Sequence, residues 1–171
     1  MKTTLFAATS ADGYIARLDG SEDFLSDAHW DTFTTMAREY GNFIVGRKTY
    51  EHVRDWSENV NFDSLAGLAR IVVTRDSSFV APGFIIATSP RAALSMLAER
   101  GQSRALVIGG TAINTSFFQE NLLDTVVLSI EPVTLGEGLS VFDDPEVMSF
   151  FQLVSAENSP DGRTIRRYNH V

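Results

Sequence analysis

The sequence predicts an α/β domain built as a three-layer sandwich. A mixed, mostly parallel central sheet would carry helices on both faces, with antiparallel strands at the C-terminal end. Three observations lead there. Near-continuous apolar runs recur, as in Phe43-Ile44-Val45, Ile71-Val72-Val73 and Ala105-Leu106-Val107-Ile108, and strands of that kind are buried on both faces. Helical segments alternate with them, as crossovers between parallel strands require. The last third is strand-rich without such crossovers, and closes on the alternation Thr164-Ile165-Arg166-Arg167-Tyr168, which reads as an exposed antiparallel strand. The 171 residues, 44% of them hydrophobic and 21% charged, fit one domain over residues 1–171 with a sizeable core.

In chain order, Leu5-Phe6-Ala7-Ala8 is a short strand ended by the turn signal Ser10-Ala11-Asp12-Gly13, and Tyr14-Ile15-Ala16 is a brief extended piece. Leu18-Asp19-Gly20-Ser21 turns the chain again. Ser26 or Asp27 can cap a helix running to about Tyr40, with Gly41 or Asn42 as its stop. Its apolar residues Trp30, Phe33, Met36, Ala37 and Tyr40 recur at threes and fours. The strand 43–45 is followed by a short helix over 49–53, then by strands over 70–74 and 84–87. Ser89-Pro90 opens a helix, since proline suits a first turn, and Gly101 stops it. The strand 105–108 breaks at Gly109-Gly110 before a helix over 111–119. Residues 125–130 and Val133 are strand-like.

Composition excludes several functions. Cysteine is absent, so disulfides, zinc–thiolate sites and thiol catalysis are ruled out. The net charge of −8 gives no long-range pull toward nucleic acid or an anionic membrane. His29, His52 and His170 show no metal spacing, and Asp143-Asp144 resembles a loop pair more than a cation site. The N-terminal apolar run is too short for a signal-peptide core or a membrane span. The expectation is a cytoplasmic protein without metal.

Ligands of open α/β sheets bind beyond the carboxyl ends of the strands. Three such ends carry suitable groups: Gly46-Arg47-Lys48-Thr49, Thr74-Arg75-Asp76-Ser77 and Gly109-Gly110-Thr111-Ala112. Glycine admits an anion close to the backbone, a helix N-terminus offers free N–H groups, and arginine supplies a fork of donors matched to phosphate. Singly, each is commoner as packing or solvated surface. Together they suggest a ligand with several phosphates, and the two arginines hint at an extra one, as on the ribose 2′ position of NADP. Neither G-x-G-x-x-G nor the Walker pattern occurs. Phe24, Trp30 and Trp56 read as core or lid aromatics, and Asp12 as a turn residue.

The residues resemble the dihydrofolate reductase-like superfamily, in the branch of the riboflavin-biosynthesis reductase domain. The resemblance spans nearly the whole chain. It rests, in order, on Ser10-Ala11-Asp12-Gly13-Tyr14-Ile15-Ala16, Gly46-Arg47-Lys48-Thr49-Tyr50-Glu51 and Val107-Ile108-Gly109-Gly110. Leu123-Asp124-Thr125-Val126-Val127-Leu128-Ser129 and Pro132-x-x-x-Gly136-x-Gly138-x-x-x-Phe142 complete it. It implies an NADPH-dependent reductase acting on a pteridine- or pyrimidine-like heterocycle. Arg47, Lys48 and Thr49 would meet the 2′-phosphate and pyrophosphate, with Thr74 and Arg75 flanking the ribose phosphate. Gly46 would let the backbone approach, and Gly109, Gly110, Thr111 and Ala112 would cradle the pyrophosphate. Ala8, Ile15 and Ala16 would lie at the nicotinamide. Phe24, Asp27, Trp30 and Ser129 would face the substrate, with Asp31 assisting proton transfer. Relatives place an acidic residue before the glycine pair, where Ile108 stands. The resemblance also implies a homodimer. A non-catalytic nucleotide-binding module on the same fold is the alternative.

Overall fold

The computed structural model describes residues 1–55 and 61–171; Trp56 lies outside them. Eight strands form one sheet: β1 (Lys2–Thr9), β3 (Asn42–Gly46), β4 (Ala69–Val73), β5 (Ile85–Ala87), β6 (Arg104–Val107), β7 (Thr125–Ile130), β9 (Phe151–Asn158) and β10 (Thr164–His170). Their order across the sheet is β5-β4-β3-β6-β1-β7-β10-β9. The pairings through β7 are parallel, and β10 runs antiparallel to both β7 and β9. A two-stranded antiparallel ribbon joins β2 (Tyr14–Ala16) to β8 (Leu139–Ser140).

Among the described residues, four α-helices cover the sheet: α1 (Asp27–Tyr40), α2 (Arg47–Arg54), α3 (Pro90–Ala98) and α4 (Thr111–Gln119). Strand alternation divides the core in two. Leu5, Ile44, Ile71 and Val107 pack on one face with Leu97 of α3 and Phe117 of α4. Phe6, Phe43, Val45, Val72 and Leu106 pack on the other with Phe33 and Ala37 of α1 and Tyr50 and Val53 of α2. Successive strand residues point to opposite faces, so the apolar runs serve both layers. The helix ends follow local chemistry. Gly41 closes α1 in the left-handed conformation, φ 73°, and Ser89 Oγ accepts from the Ala92 amide at the start of α3.

Apart from shifts of a few residues at strand ends, three differences from the sequence reading stand out. α2 begins at Arg47 rather than at 49, because Gly46 is itself the extended N-cap. Val133 lies outside β7, which ends at Ile130. β9 is a strand that the sequence does not announce: six of its eight residues are exposed, so it lacks alternation. Among the described residues no helix is long and apolar enough to cross a membrane.

Candidate functional site

The sheet order explains how three distant stretches meet. β4 and β6 flank β3, so the chain leaving each of them arrives beside Gly46. The Gly46 amide donates to the Gly109 carbonyl at 2.8 Å. A Cβ on Gly110 would lie 3.0 Å from Thr49 Oγ1, and one on Gly46 3.4 Å from the Gly109 carbonyl oxygen. A side chain at Gly110 would thus crowd the Thr49 hydroxyl, one at Gly46 would make ordinary contact, and Gly109 holds φ 104°, which favours glycine. On the other side, Arg47 Nη1 lies 3.8 Å from Asp76 Oδ2, and its guanidinium 5.9 Å from the Phe79 ring.

Two helices start here. α2 is capped by Gly46 and α4 by Gly110. Neither has a side-chain cap or an acidic residue in its first turn, and α2 places cations there instead. A helix N-terminus carries partial positive charge and unsatisfied N–H groups. Adding Arg47 and Lys48 is locally unfavourable unless an anion joins them. α4 is fixed to the β8 segment by Thr111 Oγ1 donating to the Ser140 carbonyl at 2.6 Å and Asn114 Nδ2 donating to the Val141 carbonyl at 2.9 Å.

The cleft between these helices and α1 is lined by Ala8, Ile15, Trp30, Thr49, Gly109 and Gly110 from the expected set. Glu22, Leu25, His29, Ile108 and Asn114 line it as well. Gly46, Arg47, Lys48, Thr74, Arg75, Thr111 and Ala112 gather at the adjoining strand and helix ends, off the lining. Thr74 is buried, with Oγ1 accepting from the Asp76 amide, while Lys48, Arg75 and Ala112 are exposed. Ala16 is buried in β2. Phe24 is half-buried outside the lining. Asp27 and Asp31 are both exposed on α1, and neither lines the cleft. Ser129 is fully buried, with Oγ accepting from Arg163 Nη1 at 2.9 Å.

A sequence model of the RibD C-terminal domain matches residues 1–165. The chain belongs to that family. It is 27% identical over 151 residues to the uncharacterised protein YwjB of Bacillus subtilis, covering 84% of this chain and 83% of that one. The fold matches the bifunctional diaminohydroxyphosphoribosylaminopyrimidine deaminase/5-amino-6-(5-phosphoribosylamino)uracil reductase of Thermotoga maritima. The TM-score is 0.73 at 22% identity, over 99% of this chain and 56% of that one. It also matches dihydrofolate reductase of Enterococcus faecalis, complexed with NADP(H) and RAB-propyl. Here the TM-score is 0.72 at 16% identity, over 99% and 96% of the two chains. The RibD C-terminal domain described here thus has a reductase-type, dihydrofolate reductase-like fold.

The RibD fold positions ionisable groups that sequence reasoning passes over. Glu22 sits in the loop between β2 and α1. Burial pushes its carboxyl up from 4.5 to about 7. Burial pulls the His29 imidazole down, against an Nδ1 contact with the Ser26 carbonyl. Glu131, buried just after β7, accepts from the Ser26 amide at 3.0 Å and from Ser26 Oγ at 2.5 Å. Arg163 is buried too, gripping Asp161 at 2.8 Å. No spacing signals these residues, because burial and hydrogen bonding in the folded chain set them apart. Asn114, one turn into α4, keeps a buried Oδ1 with no hydrogen-bond partner. The glycine junction, the two uncapped helix starts and this orphaned acceptor beside the cleft suit a polyphosphate cofactor carrying hydrogen-bond donors.

Proposed function

We propose that this protein is an NADPH-dependent reductase that acts on a pteridine- or pyrimidine-like heterocycle, through a single reductase domain spanning residues 1–171. The observation that carries the reading is the pairing of two uncapped, acid-free helix starts at one glycine junction, with Arg47 and Lys48 in the first turn of one of them. Such a place attracts a pyrophosphate, and the surplus cations suit one phosphate more. The NADP(H) held by the Enterococcus reductase of the same fold supports the choice of cofactor.

Gly46, Thr49, Gly109, Gly110, Thr111 and Ala112 would hold the pyrophosphate, and Arg47, Lys48, Thr74 and Arg75 the phosphorylated ribose. Ala8, Ile15 and Ala16 would border the nicotinamide, whose bound reduced form supplies a hydride. Trp30, Phe24, Asp27 and Ser129 belong to the substrate side. The apolar lining from Trp30, Phe33, Val53, Phe62 and Ile108 suits a flat heterocycle and excludes water, so much of the rate would come from positioning. Ile108, where relatives of the riboflavin branch carry an acid, favours a substrate other than theirs.

The test is steady-state NADPH oxidation with a panel of dihydropterin, dihydrofolate, flavin and aminopyrimidine substrates. Turnover with at least one member is expected. NADPH binding without turnover on any of them would instead mark a nucleotide-binding module.

A further inference from the structure

We propose that Glu22 is the acid of this cleft, its carboxyl delivering a proton to the substrate nitrogen while the adjacent carbon is reduced. The assignment rests on the reductase reading above and names a group that reading leaves open.

Among the described lining residues, Glu22 and His29 alone are ionisable. Asp31, the acid expected from the sequence, is exposed and off the lining. The loop carrying Glu22 is fastened on both sides. The Arg17 amide donates to the Ser21 carbonyl at 2.8 Å, and Arg17 Nε bonds Asp23 at 2.5 Å. The Leu25 amide donates to the Glu22 carbonyl at 3.1 Å, and Ser26 is clasped by Glu131. The backbone is thus held while the Glu22 carboxyl receives no hydrogen bond from any described residue. A half-buried acid with no structural partner is free to serve a ligand.

Arg17, Glu131 and His29, which border this loop, are already engaged. Arg17 is taken by Asp23 on the same loop, Glu131 after β7 by Ser26, and His29 on α1 by the Ser26 carbonyl. With burial unopposed, Glu22 titrates near 7 and retains a transferable proton at neutral pH. His29, shifted down, is neutral there and holds no such proton.

The step balances. At a substrate C=N bond, the carbon takes a hydride with its two electrons from NADPH, which becomes NADP⁺. The π bond breaks and the nitrogen takes the proton from Glu22. The resulting carboxylate is reprotonated by water.

Two measurements test this. In protein labelled with ¹³C at the glutamate carboxyl and free of ligands, the resonance lost in Glu22→Gln should titrate near 7; a midpoint near 4.5 overturns the assignment. With dihydropterin and dihydrofolate as probes, Glu22→Gln should lower kcat by about 100-fold while the NADPH-induced rise in Tm stays as in wild type. Glu22→Asp should recover part of the loss. Wild-type kcat in Glu22→Gln overturns the acid role alone. Absence of turnover by the wild-type protein with these probes and with the flavin and aminopyrimidine substrates overturns the reductase reading and the acid role together.

Discussion

Glu22 and Asp12 are two loop acids that the fold drives in opposite directions. The Asp12 carboxylate accepts from Ser10 Oγ and from the Leu135 and Gly136 amides, which hold it down at about 2. Its contribution to stability is present above its ordinary value of 3.8 and is lost as pH falls toward 2. Glu22 is half-buried with no hydrogen-bond partner among the described residues, and burial pushes it up to about 7 from 4.5. Between those values the folded chain keeps a proton that the unfolded chain has released, so this contribution is full below about 4.5 and drains away as pH rises through 7. Glu22→Gln removes the charge that burial penalises. Urea unfolding should find the variant more stable than wild type by roughly 1–3 kcal/mol at pH 8 and equal to it at pH 4. An equal difference at both pH values would trace the effect to packing rather than to ionisation. Asp12 was legible in the sequence because Ser-Ala-Asp-Gly spells a turn. Glu22 was not, since its burial depends on how the loop between β2 and α1 sits at the cleft.

The β2–β8 ribbon is the smallest element that shapes the cleft, because β2 carries Ile15 to its edge. Gly138 lets the ribbon close: a Cβ there would collide with the Ala16 carbonyl oxygen and press on Tyr14 Cβ at 3.0 Å. Backbone cannot yield as a flexible side chain can, so Gly138→Ala should cost roughly 1–3 kcal/mol. That corresponds to a Tm several degrees lower, with weaker NADPH binding. Gly67→Ala, with nothing within 4 Å, should leave both within error by calorimetry. An unchanged Gly138→Ala would mean the ribbon does not depend on that approach. Element types were readable from apolar runs, caps and glycine stops. Edges were less so: α2 starts two residues early because Gly46 serves both as strand end and as N-cap. β9 hid because an exposed edge strand has no inward-facing alternation to reveal it.

At the scale of the whole molecule, function follows from strand order. Nothing local in the sequence says that β6 returns to lie beside β3, yet that placement brings Gly109-Gly110 against Gly46 and Thr49. The motifs were legible one by one, and their convergence came from an ordered resemblance rather than from spacing. The end of the cleft bordered by α1 was hardest to read, since Glu22 and His29 are set by burial rather than by spacing. An acidic chain of net charge −8 here gathers Arg47, Lys48 and Arg75 around two positive helix ends. On the proposed reading, a cofactor held at those helix ends is recognised by its phosphates. The direct measurement is the rise in Tm with NADPH and with NADH at equal concentration, since a ligand that binds the native state stabilises it by mass action. The account predicts a clearly larger rise with NADPH; equal rises, or none with either, would contradict it.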